Sequence, residues 1–100
     1  MISHVVLFKL KDFENEDQKA VVRNKIKNAL LSLNGKIEEL KYIEVGLDHQ
    51  LNSPSFDICL ITHFETLKDL DAYQVHPEHL KVVEVIKPNV LSRAAVDFEY

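Results

Sequence analysis

The first segment of the chain, Ile2 to Lys11, is apolar on both faces of the strand that its pattern predicts. Successive side chains of a strand point to opposite faces. One face therefore carries Ile2, His4, Val6, Phe8 and Leu10, and the other carries Val5 and Leu7. A strand that is apolar on both faces has to be covered on both sides, and this requirement limits the folds open to the chain.

A helix is expected over residues 15–33, where apolar residues recur at spacings of three and four. Asn15 is suited to cap its start, because its side chain can accept from the free N–H groups of the first turn. Asn34-Gly35 marks its end, since glycine tolerates the left-handed conformation. Strands are expected over residues 40–49 and 56–65. In the second of these, one face carries Phe56, Ile58, Leu60 and Phe64, and the other carries Cys59 and Ile61.

Two short helices and a final strand are expected in the rest of the chain. Thr66 is a suitable N-cap for the first helix, and Pro77 suits the first position of the second, which Pro88 ends. A last strand runs from Leu91 to Tyr100. The residues expected to point inward from the two helices are Leu67, Leu70, Tyr73, Leu80, Val83 and Ile86, and one face of the last strand carries Ala94, Val96 and Phe98.

The order strand, helix, strand, strand, helix pair, strand predicts an α+β fold of the ferredoxin-like type. Two interleaved β-α-β units give a four-stranded antiparallel sheet with its helices on one face. The length fits a single domain over residues 1–100. The helices leave the sheet face with Val5, Leu7, Cys59 and Ile61 uncovered, and a face of this kind usually meets a partner. We therefore expect a homodimer in which two sheets face each other, as a dimeric α+β barrel.

Composition excludes several classes of function. The apolar fraction of 46% and the charged fraction of 28% are ordinary for a folded chain. A net charge of −4 argues against nucleic acid as a partner, and no apolar run approaches the ~20 residues that span a membrane. Cys59 is the single cysteine, so neither a disulfide framework nor a cysteine-based zinc site is expected. The chain starts without a signal-peptide pattern, and we expect a cytoplasmic location.

Three stretches resemble the stress-responsive A/B barrel domain (Dabb) family. They are ISHVVLFKLK at residues 2–11, the run from Phe64 to His79 with its Tyr-x-x-His-Pro-x-His pattern, and AVDFEY at residues 95–100. The resemblance spans the whole chain in order and implies a dimeric α+β barrel. Many members of the family have no assigned activity. One plant member, olivetolic acid cyclase, closes a linear polyketide by an aldol condensation without metal or cofactor.

The resemblance to the cyclase implies a set of site residues. It carries the tyrosine of that site onto Tyr73, its main catalytic histidine onto His79, and two further histidines onto His4 and His76. Another pocket histidine of the cyclase falls at Ile58, where this chain departs from the pattern. The preference for a long alkyl polyketide is therefore not expected to transfer.

The chemistry of these side chains supports the same candidates. Imidazole titrates near neutral pH, so His79 can take and return a proton, and Tyr73 can donate a hydrogen bond to a developing enolate. His4 lies on the apolar strand face that looks toward the expected cavity. We expect His79, Tyr73 and His4 to be catalytic. The expected ligand-binding residues are His76, Phe8 and Val6.

The leading hypothesis is a pocket for a small apolar or carbonyl ligand, with cofactor-independent proton transfer of the aldol or cyclase type. The alternatives are a non-catalytic, stress-related assembly protein and an α+β-barrel monooxygenase. His76 and His79 have a spacing that can bind one metal, but a third ligand would have to be His4 or Glu78, and no metal is expected. Two glycines do not make a phosphate-binding loop, and no cofactor is expected.

Overall fold

A computed structural model describes all residues from Met1 to Tyr100. Its elements, in chain order, are β1 (Ile2–Leu10), α1 (Glu16–Leu31), β2 (Tyr42–Leu47), β3 (Ile58–Phe64), α2 (Leu67–Gln74), α3 (Pro77–Ile86) and β4 (Val90–Glu99). A 3-10 turn at Lys87–Asn89 joins α3 to β4. The elements follow the predicted order, and most of them are slightly shorter than predicted.

The four strands form one antiparallel sheet in the order β2-β3-β1-β4. β1 lies in the middle, where Val6 is opposite Leu60 of β3 and Ala95 of β4. The β1-α1-β2 and β3-α2-α3-β4 units interleave in this order, so the ferredoxin-like fold is confirmed.

Local hydrogen bonds explain where the helices begin. The Asn15 carboxamide oxygen accepts from the backbone N–H of Gln18 at 2.9 Å, and the Thr66 hydroxyl accepts from that of Asp69 at 3.1 Å. Both residues are therefore N-caps, as predicted. After α1, Gly35 has a φ of +82°, in the left-handed region that glycine enters without strain.

The core lies between the helices and one face of the sheet. The alternating pattern of β1 buries the face that includes Ile2, Val6, Phe8 and Leu10. The helices bury Ile26, Leu30, Leu70, Tyr73, Val82 and Ile86 against it, and β3 adds Ile58, Leu60 and Phe64. This one-sided coverage follows from the amphipathic spacing of the helices.

Two residues predicted to point inward are exposed instead. Leu67 is 60% exposed because it is the first residue of α2, and side chains of a helix lean toward its N-terminus, beyond the first turn. Leu80 is 49% exposed because the inward stripe of α3 runs through His79, Val82, Val83 and Ile86. The members of that stripe follow the helical repeat, and Leu80 lies about 100° around the helix from His79.

The prediction that Phe56 belongs to β3 is also wrong. β3 begins at Ile58, and Phe56 is exposed in the connection before it. Asp57 is the residue buried there: its carboxylate accepts from the backbone N–H of Leu10 at 2.8 Å and lies 2.9 Å from the Lys19 ammonium. The backbone N–H of Asp57 also donates to the carbonyl oxygen of Phe8 at 2.8 Å, so Asp57 holds the connection against β1 just before β3 begins.

The opposite side of the sheet, called here the outer face, consists of Val5, Leu7, Cys59, Ile61, Ala94, Val96 and Phe98. Strand register places them together: Val5 is opposite both Ile61 and Val96, and Leu7 is opposite Cys59 and Ala94. Within the protomer these side chains are half-buried or exposed. The helices leave this apolar face of the sheet uncovered, as the sequence predicts.

Candidate functional site

A cavity of about 600 Å³ lies between the helix-facing side of the sheet, α2, α3 and the start of β4. Nine of its fifteen lining residues are hydrophobic, and its size is in the range of small-molecule sites. Its floor is buried and consists of His4, Val6, Phe8, Leu30, Leu60, Tyr73 and Ile86. Its rim is exposed and consists of Gln74, Lys87, Leu91, Ser92 and Arg93. The cavity is therefore open at β4 and apolar inside.

His79 lies at the third position of α3, on the stripe of that helix that faces the sheet. Its Nδ1 is 3.0 Å from the carbonyl oxygen of Gln74. A carbonyl can only accept, so Nδ1 donates and Nε2 is left with its lone pair. Burial lowers the pKa of His79 from 6.5; the positive charge of Arg93, and those of His4 and His76 when they are protonated, act in the same direction, against the opposing effect of the Gln74 hydrogen bond. The imidazole is therefore held in its basic form at neutral pH.

Tyr73, in the last turn of α2, is 0% exposed. Its ring packs on Phe64 at 4.9 Å between centroids and on His79 at 4.4 Å. The hydroxyl is buried and has no hydrogen-bond partner, and burial raises the pKa of Tyr73 to about 12. Buried polar groups almost always have a partner. The hydroxyl is therefore a neutral donor that has no partner within the protein.

His4 projects from β1 onto the cavity floor and is paired with Asp97. The two residues are directly opposite each other in the β1–β4 register, and the Nδ1 of His4 contacts a carboxylate oxygen of Asp97. An ionised carboxylate accepts, so Nδ1 carries the proton and Nε2 is the free nitrogen. His4, Tyr73 and His79 thus line one cavity, as predicted.

The remaining candidates lie in two different environments. Val6 and Phe8 are on the cavity floor beside His4. The Nδ1 of His76 accepts from the backbone N–H of Glu78 at 3.1 Å and caps α3, and His76 is not among the residues that line the cavity. No group of three or more His, Cys, Asp or Glu side chains in the structure is arranged to hold a metal ion.

Sequence reasoning missed two parts of the site, Asp97 and the cationic rim residues Lys87 and Arg93. The pattern of the last strand drew attention to the outward series Ala94, Val96 and Phe98. The intervening residues Arg93 and Asp97 face the helices with Phe8 and His4. The alternation of polar and apolar residues in that strand indicates that Arg93 and Asp97 share a face. Which residues they lie beside is set by the register with β1, which the sequence does not give.

Fold and site together define a ferredoxin-like α+β protein with an apolar cavity that carries histidine and tyrosine. The family model described as the stress responsive A/B barrel domain matches residues 2–100. The chain belongs to this family. No helix has the length and apolar character needed to cross a membrane.

Two proteins of Arabidopsis thaliana, both described as stress-response A/B barrel domain-containing proteins, are similar over much of this sequence. One is 32% identical over 100 residues, and the match covers 98% of this chain and 36% of that protein. The other, DABB1, is 30% identical over 87 residues, and the match covers 84% of this chain and 40% of DABB1. The chain thus spans about two fifths of the length of these relatives.

A solved structure from Bacteroides fragilis, described as a dimeric protein of unknown function with a ferredoxin-like fold, superposes with a TM-score of 0.89. It is 37% identical and the match covers 99% of this chain and 95% of that one. Two further ferredoxin-like neighbours are also described as dimeric. Likenesses to a hydroxynitrile lyase from Passiflora edulis, at 15% identity, and to an antibiotic biosynthesis monooxygenase, at 12%, show the fold alone.

Proposed function

We propose that the chain forms a homodimer through its outer face, and that each protomer binds a small apolar or carbonyl compound in its cavity and transfers protons on it without a cofactor. The observation that carries the proposal is the buried, unpartnered hydroxyl of Tyr73 against the ring of His79. A hydroxyl of this kind is costly unless something binds to it. An apolar ligand with a carbonyl oxygen would supply the missing partner.

The two side chains are suited to opposite ends of one proton transfer. Neutral His79 takes a proton at Nε2 from the carbon next to the carbonyl, and Tyr73 donates a hydrogen bond to the oxygen on which negative charge develops. The enolate carbon can then attack a second carbonyl of the same compound, and the alkoxide formed receives the proton held by His79. Atoms balance with no external reactant, and the product is a cyclised isomer.

His4 supplies a second polar contact on the floor of the cavity. Its proton is held at Nδ1 by Asp97, so its Nε2 accepts from a ligand hydroxyl. The buried apolar surroundings, chiefly Val6, Phe8 and Leu60, lower the local dielectric constant and so strengthen these polar contacts.

The homodimer is supported by the outer face and by relatives. An apolar sheet face of this kind is typical of a protein–protein interface. The Bacteroides fragilis relative, described as dimeric, is 37% identical over almost the whole chain. A two-fold pairing would bury the outer face of both protomers and leave each cavity on the far side of its own sheet.

Exchange of hydrogen for deuterium at the carbons beside the carbonyl of 2-octanone tests the proton-transfer step. The wild-type protein in D2O at neutral pH should accelerate this exchange, followed as loss of the corresponding proton NMR signals. His79→Ala should lower the protein-dependent rate by about 10²- to 10⁴-fold, the usual contribution of a general base.

His49→Ala is the matched control, because His49 is a surface histidine whose side chain is 77% exposed. It should exchange at the wild-type rate, and circular dichroism should show that both variants are folded. The proposal is wrong if the wild-type protein gives no acceleration, or if folded His79→Ala retains the wild-type rate.

A further inference from the structure

The rim of the cavity carries charge of one sign. Among all lining residues, the only permanently charged side chains are Lys87 and Arg93, and no aspartate or glutamate is among them. The chain as a whole has a net charge of −4. Two cations with no acidic neighbour in the lining are therefore a local feature and do not follow from the overall charge.

Neither rim cation has a partner within the protomer. Some basic side chains are used structurally: Lys19 contacts the Asp57 carboxylate at 2.9 Å, and Arg23 donates to the carbonyl of Asp48 at 3.1 Å. Lys87 and Arg93 take part in no ion pair and donate no side-chain hydrogen bond. Their charges are available to a ligand.

Strand register brings Arg93 next to the cavity floor. Arg93 is directly opposite Phe8 in the β1–β4 pairing, on the face where Phe8 and His4 point toward the helices. Its charge also contributes to the lowered pKa of His79, so the guanidinium lies within electrostatic reach of the imidazole. A ligand whose head group binds Arg93 would therefore have the rest of its body near His79.

We propose that the ligand of this cavity is an amphipathic carboxylic acid, whose apolar body lies on the floor and whose carboxylate binds Arg93, with Lys87 adding a second positive charge. The proposal rests on the ligand cavity of the proposed function and names its substrate class. The planar fork of arginine matches a carboxylate with two parallel hydrogen bonds. A phosphate is less suited, because neither glycine of the chain lies at the rim to form a backbone cradle.

Calorimetric titration with octanoate and 1-octanol tests the proposal, because the two probes share an alkyl chain and differ in the head group. Octanoate should bind the wild-type protein at least about tenfold more tightly than 1-octanol, as a charge-assisted hydrogen bond predicts. Arg93→Gln should remove this preference and leave the affinity for 1-octanol unchanged. Lys87→Gln should reduce the preference in part.

Lys36→Gln is the matched control, because Lys36 is an exposed lysine outside the cavity lining. It should bind octanoate like the wild type. A second readout is the NMR titration of His79: octanoate should raise its pKa by neutralising Arg93, whereas 1-octanol has no charge with which to do so.

Three results would overturn the carboxylate assignment. If octanoate and 1-octanol bind equally and Arg93→Gln changes neither, the rim does not recognise an anion, although the apolar cavity of the proposed function stands. If octyl phosphate binds more tightly than octanoate through Arg93, the ligand is a phosphate ester. If neither octanoate nor 1-octanol binds, the ligand cavity itself is refuted together with this proposal.

Discussion

At the scale of single residues, Tyr73 combines deep burial with a hydroxyl that has no partner. Burial raises its pKa to about 12, so the group is neutral throughout the range in which the protein is expected to be folded. His79 beside it is pushed toward its neutral, basic form by burial, which lowers its pKa. One environment therefore sets a donor and a base side by side, which is the pattern of an acid–base site.

Replacement of Tyr73 by Phe should separate stability from activity. The buried hydroxyl without a partner costs about 1–3 kcal/mol, so Tyr73→Phe should leave the free energy of unfolding unchanged or raise it by ~1 kcal/mol. Exchange of 2-octanone should nevertheless fall by about 10²-fold or more, since one donor to the developing oxyanion is lost. Urea unfolding and the exchange assay measure the two effects.

Tyr42→Phe is the control, because the hydroxyl of Tyr42 is on the outer side of the sheet and bonds Glu44. It should change neither quantity appreciably. A Tyr73→Phe protein that loses more than ~1 kcal/mol would show that the hydroxyl has a structural partner, contrary to the site described above.

The lowered pKa of His79 predicts a dependence of stability on pH. In the unfolded chain His79 takes up a proton near its ordinary value of 6.5, and in the folded protein it does so only at lower pH. The unfolded state therefore binds more protons in this window, and stability falls as the pH drops below about 6.5 toward the folded-state pKa. His79→Gln should lack this part of the pH dependence, because glutamine does not titrate.

The measurement is the free energy of unfolding of wild type and His79→Gln across the weakly acidic range. The difference between the two proteins should grow in favour of the variant as the pH falls, because other titrating groups are common to both. Parallel curves would mean that His79 has the same pKa folded and unfolded.

At the scale of elements, the pairing of β1 with β4 assembles the polar part of the site. It places Asp97 opposite His4 and Arg93 opposite Phe8 on the helix-facing side. β1 contributes His4, Val6 and Phe8 to the floor, and β4 contributes the carboxylate that contacts His4 and one rim cation. α2 and α3 bring Tyr73 and His79 together across the break at Pro77, whose fixed geometry starts the second helix.

Asp97 is expected to act as a positioning residue through His4. Asp97→Asn removes the charge that holds the proton at Nδ1 of His4, so the imidazole loses its fixed tautomer. We expect a lower kcat for ketone exchange with little change in KM, measured by steady-state NMR rates. Asp71→Asn, at an exposed position of α2, should leave both unchanged. A loss confined to KM would instead indicate direct contact of Asp97 with the ligand.

Local physics accounts for what the sequence predicted at this scale, and long-range register accounts for what it missed. Asn15, Thr66 and Pro77 act on the few residues that follow them, so the helix starts were predictable. The sequence predicts an inward face of α3 that includes Leu80, because apolar residues of this helix fit more than one helical stripe. Packing against the sheet buries Val82 instead. The places of Asp97 and Arg93 in the site follow from their pairing with His4 and Phe8 of β1, at the other end of the chain, and local sequence does not reveal this pairing.

At the scale of the whole molecule, the protomer buries its core on one side of the sheet and leaves the other side apolar. Val96, opposite Val5 in the outer face, is 59% exposed in the protomer. A two-fold pairing through the outer face would bury this face in both protomers. The cavity lies on the helix side, so the proposed pairing and the proposed ligand binding would use separate surfaces.

Val96→Glu should convert the proposed dimer to a monomer, because each copy would bury a carboxylate in the interface without a partner. Light scattering coupled to gel filtration should give twice the mass of the chain for the wild type and the mass of one chain for the variant. Val21→Glu, on α1 and 68% exposed, should remain dimeric. A dimeric Val96→Glu protein would place the interface elsewhere.

The central claim is that the cavity between the sheet, α2 and α3 binds a small apolar carbonyl compound. Methyl and imidazole NMR spectra of the dimer, recorded during titration with 2-octanone, test it directly. The account predicts shifts for the cavity residues Val6, Leu60, His79 and Val83 and none for Leu7 and Val96 of the outer face. Shifts confined to the outer face, or no shift at saturating ketone, would contradict it.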